Sequence, residues 1–101
     1  MQNDKYYIEL AEFIHEEVIN WDPIGLIKGG APDDEYDTIE KRFLSGIINS
    51  NSEIDILNKV KSNLEYFGLD INELTAKQKN QLELEIKNII EKLRKRDLEL
   101  K

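Results

Sequence analysis

A chain of 101 residues has room for one domain with one modest core, and little for an enzyme cleft with a separate cofactor module. It has no cysteine, which excludes disulfides and cysteine-based metal sites. The 21 Asp and Glu outnumber the 14 Lys and Arg, for a formal charge of −7, so the surrounding field repels phosphate backbones and attracts basic surfaces, and nucleic acid is not expected as a direct ligand.

The N-terminal Met1-Gln2-Asn3-Asp4-Lys5 lacks the basic head and apolar run of a signal peptide. No segment approaches the roughly 20 apolar residues of a membrane span, so a cytoplasmic protein without membrane contact is expected. Tyr7, Leu10, Ala11, Ile14 and Val18 recur at intervals of three and four, which predicts a first helix over about Asp4 to Ile19 with these residues on its buried face. Asn20-Trp21-Asp22-Pro23 ends it, because the residue before a proline is pushed out of the helical region.

A second helix is expected to start among Pro32, Asp33 and Asp34, where acids favour the free N–H groups, with a stripe of Tyr36, Ile39, Phe43 and Ile47 widened by Leu44 and Ile48. Asn49-Ser50-Asn51-Ser52 breaks the pattern and offers Ser52 as the N-cap of a third helix bearing Ile54, Leu57, Val60, Leu64 and Phe67. Gly68 stands where a left-handed C-terminal cap belongs. From Asn72 to Lys101 runs the longest helical signal, capped by Thr75, with Leu82, Ile86, Ile89 and Leu93 as its seam. Glu83 with Lys87 and Glu91 with Lys95 are spaced to pair, and Lys92, Arg94, Lys95 and Arg96 suit the negative end of the dipole. No period-two alternation persists, so the expected architecture is all-α: a compact single-domain bundle of about four helices over residues 1–101, with a C-terminal helix long enough to project past the core.

One stretch departs from this patterning. Trp21-Asp22-Pro23-Ile24-Gly25-Leu26, followed by Gly29-Gly30-Ala31-Pro32-Asp33-Asp34-Glu35-Tyr36-Asp37, holds the single Trp, both prolines and three of the five glycines, and ends in four carboxylates around a tyrosine. Trp21 is expected to plug the core beneath the loop, its indole N–H seeking a carbonyl, in preference to the other reading as an exposed binding anchor, while Pro23 and Pro32 stiffen the loop ends and Gly25 relaxes the backbone between them. Gly29-Gly30 is no phosphate loop, since it lacks the Gly-Lys-Ser/Thr ending, follows no strand and adjoins four acids.

These residues resemble the signature of a small all-helical bacterial family first collected as a domain of unknown function in Bacillus-type species. Similar sequences occur among the small immunity proteins encoded beside polymorphic and contact-dependent growth inhibition toxins. The resemblance covers about residues 20 to 48 and, more loosely, the Phe67-Gly68 helix ending; beyond Leu69 it rests on helical character alone. It implies a small helical fold and a role in neutralising a toxin, and it carries over no catalytic residue.

Two readings of the acidic run stay open. In one, Asp33, Asp34 and Glu35 cap the helix and occupy its first turn, each contributing about 0.3 to 1 kcal/mol through the dipole. In the other, Asp33, Asp34, Glu35 and Asp37, with Asp22 across the loop, form a patch that pairs with the Lys and Arg of a nuclease surface. Calcium is a lesser option, because the spacing does not match a twelve-residue EF-hand loop.

No catalytic residue, metal site or cofactor is expected: His15 is the single histidine, and the serines have no base in a recognisable local arrangement. Glu9, Glu12, Glu16 and Glu17 read as a solvated face or as an extension of the acidic surface. The leading expectation is an immunity protein whose partner is a cognate toxin, expected to be a basic nuclease. The alternative is a non-catalytic interaction module without a toxin partner, such as a homo-oligomer built through the tail helix; an enzyme with an unrecognised carboxylate site is a third reading.

Overall fold

The computed structural model describes residues 3–101; Met1 and Gln2, part of the N-terminal stretch expected to lack a signal peptide, lie outside them. The described residues form four α-helices, α1 (Asn3–Trp21), α2 (Asp37–Ile48), α3 (Glu53–Tyr66) and α4 (Ala76–Leu100), with one 3-10 turn (Ile71–Glu73) before the last and no strand. The expected all-helical class and long C-terminal helix are both present. No described helix is long and apolar enough to cross a membrane.

Cross-helix bonds set an up-down-up-down order. His15 meets Glu40, Arg42 meets Asn63, Lys61 meets Glu83 and Lys92 meets Glu17, so each helix runs antiparallel to the next and α4 closes back on α1. The core is a single cluster to which every helix contributes its three- and four-spaced stripe: Leu10, Ile14 and Val18; Ile39, Phe43 and Ile47; Val60 and Leu64; Ile86, Ile90 and Leu93. Tyr36 joins them from the loop and is fully buried.

Local chemistry explains the boundaries. Asp22 adopts φ 43°, a left-handed conformation that Asp tolerates better than most residues, and α1 therefore runs to Trp21 before turning. Ser52 caps α3 by accepting from the Asp55 N–H at 3.2 Å. Gly68 takes φ 102° after α3, and Thr75 with Gln78 forms a reciprocal capping box at α4.

Several expectations need correction. Regular helix α2 begins at Asp37, not among Pro32, Asp33 and Asp34: residues 32–37 form successive turns, Glu35 N–H to Pro32 C=O and Asp37 N–H to Asp34 C=O, while Tyr36 reaches inward. The N-cap position falls to Tyr36 without any side-chain cap, so Asp33 caps nothing. Tyr7 is exposed, because Tyr6, about 100° around the helix, fills the seam with α4 and donates to Asp97. Ile54 is exposed as well; Ile56 takes the core position and covers Gly46.

The tail does not project free. Leu93 and Asp97 are buried and Leu100 still packs on the core, because the N-terminal turns of α1 lie alongside. Glu83 closes on Lys61 of α3 at 2.8 Å rather than relying on Lys87. As α4 continues to Leu100, none of Lys92, Arg94, Lys95 and Arg96 falls in its last turn. Arg94 instead donates to the Asn51 C=O at 2.8 Å, and Arg96 lies over the Phe13 ring at 5.7 Å.

Candidate functional site

The loop between α1 and α2 is organised around one carboxylate and one phenol. The Tyr36 hydroxyl donates to Asp22 Oδ1 at 2.6 Å and accepts from the Leu26 N–H at 3.2 Å, with the Ile24 N–H at 3.4 Å. The Asp22 carboxylate also accepts from the N–H groups of Ile27 (3.1 Å) and Lys28 (3.0 Å). A left-handed Asp22 faces its carboxylate back toward the backbone that Pro23 and Gly25, at φ 73°, fold around it. The Tyr36 hydrogen bond holds the Asp22 carboxyl below the usual carboxylate range, and burial, with Asp22 behind it, pushes the Tyr36 phenol up. Asp22 therefore has an occupation inside the loop, in contrast to the other four acids grouped with it in sequence.

Asp33, Asp34, Glu35 and Asp37 are all exposed, on the turns leading into α2 and on its first residue. Pro32 is exposed at the start of these turns, and its C=O accepts the Glu35 N–H. Tyr36 is their inward anchor, so the flanking Glu35 and Asp37 turn to solvent. Its ring meets Phe67, the C-terminal cap of α3, edge-on at 6.1 Å. That contact brings the end of α3 beside the acidic turns and with it the exposed Glu65, Asp70 and Glu73, an association no local spacing reveals.

Trp21 is half-buried rather than sealed in the core. Its ring packs edge-on against Phe43 at 6.3 Å, and its indole N–H donates to Glu85 Oε1 at 2.8 Å instead of to a carbonyl. It thus pins the end of α1 to both α2 and α4, supporting the loop from beneath.

His15 pairs with Glu40 of α2, Nδ1 lying 3.0 and 2.9 Å from its two oxygens. When Glu40 is ionised, Nδ1 is the nitrogen that donates to it. Burial raises the Glu40 pKa, and the His15 bond opposes the rise. Glu40 and Asp37 border a cleft of about 230 Å³ over Ala11, Ile14 and Leu44, below the roughly 300 to 1,000 Å³ of ordinary small-molecule pockets. Among the described residues no group of three or more His, Asp or Glu is placed to hold a metal ion.

A second, part-buried polar contact joins α1 to α4. The Tyr6 hydroxyl donates to Asp97, which also meets Lys101 at 3.1 Å, and burial together with Asp97 pushes the Tyr6 phenol up to about 12. Its signal was present only as an Asp on the apolar seam of α4. Comparisons with protein-family models, curated proteins and solved structures return no match to this chain.

Proposed function

We propose that this chain is an immunity protein, which binds a cognate bacterial toxin in the cytoplasm and neutralises it by covering its active site or substrate groove. The toxin is a basic nuclease on this reading, because the surface offered to it is acidic. The observation that supports it is the exposure of Asp33, Asp34, Glu35 and Asp37 on turns whose shape is fixed internally by Tyr36 and Asp22. A turn backbone fixed this way needs little reordering on binding, and complementary charge accelerates encounter and selects the partner. The phosphate-binding Lys and Arg of a nuclease are the groups such a surface complements. The chain acts here by occupying a surface and performs no chemistry of its own.

The test is association kinetics between the purified chain and the nuclease encoded by the adjacent gene, at low and moderate salt. Replacing Asp34, Glu35 and Asp37 together by Asn, Gln and Asn is expected to slow association and shrink its salt dependence while leaving the fold intact. Unchanged rates and salt dependence would remove the acidic turns from the interface. Absence of a toxin gene beside this one, with no binding to nuclease domains, would favour the interaction module without a toxin partner.

A further inference from the structure

Tyr66, on the last residue of α3, is 84% exposed, the highest value among the large hydrophobic side chains exposed at the surface. An exposed aromatic ring is common by itself, but this one begins a row of ring contacts that runs into the core. It meets Phe67 edge-on at 6.1 Å, Phe67 meets the buried Tyr36 edge-on at 6.1 Å, and Tyr36 ends the row on Asp22 at 2.6 Å. One row of rings thus links Tyr66 to the pair that shapes the loop before the acidic turns, and places it at the same end of the bundle as those turns.

We propose that Tyr66 is the aromatic anchor of a protein-docking surface, and that its occupant is a partner segment laying an arginine or lysine side chain across the ring. This rests on the reading of the acidic turns given above and deepens it by naming the contact. Charge is the argument for the occupant. Glu65 precedes Tyr66 and Asp70 and Glu73 follow it in sequence, and the Phe67–Tyr36 contact puts the α2 start, with Asp33, Asp34, Glu35 and Asp37, at the same end of the bundle; all seven acids are exposed, against Lys28 in the loop and Lys77 and Lys79 at the start of α4. A cation over a tyrosine face gains from the ring and from every carboxylate nearby, and tyrosine is among the residues that carry most binding energy at interfaces. A second copy of this chain would bring the same acids against each other, and a nucleic acid would bring phosphates.

The experiment titrates isotope-labelled protein with a hexa-arginine peptide at low ionic strength and follows backbone and aromatic resonances. The Tyr66 ring and the amides of Asp34, Glu35 and Glu65 are expected to shift together, with one binding constant. Tyr66→Ala is expected to weaken the peptide about three- to tenfold with an unchanged melting temperature. Tyr66→Phe should retain binding, since the ring and not the hydroxyl makes the contact. Tyr7→Ala, a control at the other end of the bundle, should leave affinity unchanged. Equal affinity for wild type and Tyr66→Ala, shifts centred on Glu9, Glu12 and Glu16, or a dimer dispersed by Tyr66→Ala would each overturn the proposal. Because the peptide replaces the toxin, failure here leaves the immunity reading to its own kinetic test, and a missing toxin leaves this surface standing.

Discussion

The Tyr36 hydroxyl donates to the Asp22 carboxylate across 14 positions of sequence, and the loop between them hangs on that bond. Tyr36→Phe keeps the buried ring but takes the acceptor from the Leu26 and Ile24 N–H groups and removes one of the two donors to Asp22 Oδ1, the Ile27 N–H remaining. It is expected to cost about 1 to 3 kcal/mol, measured by urea denaturation. An unchanged midpoint would mean that water replaces the phenol without loss.

The same bond gives acid sensitivity a sign. Asp22 has a folded-state pKa below its ordinary 3.8, so its contribution is present above that value and is lost as pH falls through the lowered one. Tyr36→Phe removes the largest cause of the lowering. The stability difference between wild type and variant should therefore narrow on acidification below about pH 4, and a difference that widens there would contradict the assignment.

Trp21 gives two graded variants. Trp21→Phe retains much of the packing against Phe43 but loses the donor to the half-buried Glu85, and should cost about 0.5 to 1.5 kcal/mol. Trp21→Ala should cost about 3 kcal/mol, the low end for a large aromatic because the ring is only half-buried. Thermal unfolding by circular dichroism orders the pair, and equal costs would place all the stabilisation in the hydrogen bond.

Two small residues at the α2–α3 corner should respond with opposite signs. Ser50 sits at φ 56°, where L-residues are strained, so Ser50→Gly should stabilise by about 0.5 to 1 kcal/mol. Gly46 lies within a helix, where propensity alone favours alanine by about 1 kcal/mol. Its added Cβ would stand 2.5 Å from Ile56 Cγ1, however, so Gly46→Ala should destabilise by about 1 to 3 kcal/mol. A gain from Gly46→Ala would show that Ile56 yields at little cost.

Glu40 runs opposite to Asp22. Its folded-state pKa is raised, mainly by burial, so the stability it contributes is full below the ordinary 4.5 and falls as pH rises through the raised value. Glu40→Gln keeps an acceptor for His15 without the buried charge. Its stability relative to wild type should therefore rise between about pH 4 and pH 7, as denaturation at each pH will show; a relative fall would mean that the His15 ion pair outweighs burial.

The helices were legible because their signals are local. Spacings of three and four marked the stripes of Ile14, Phe43, Val60 and Ile86; Ser52, Gly68 and Thr75 acted as caps through neighbours within a few positions. Errors arose where a side chain answers to a distant partner. Tyr7 and Tyr6 are equally plausible by spacing, and Asp97 on α4 selects Tyr6. Asp33 is a reasonable cap by composition, but the inward pull of Tyr36 delays the helix to Asp37.

For the candidate site the division follows the same physics. Composition and order along the chain determined that the protein is acidic, that it is built from helices, and that its unusual residues gather in one loop ending in four carboxylates. Tertiary packing decided which of those acids is free. Asp22 is drawn inward by Tyr36 and the loop amides, while the approach of Phe67 to Tyr36 brings Glu65, Asp70, Glu73 and Tyr66 to the end where the remaining acids lie. Hydrogen-bond capacity and ring contacts between residues far apart in sequence are properties of the folded chain, and only there does a run of acids become a surface.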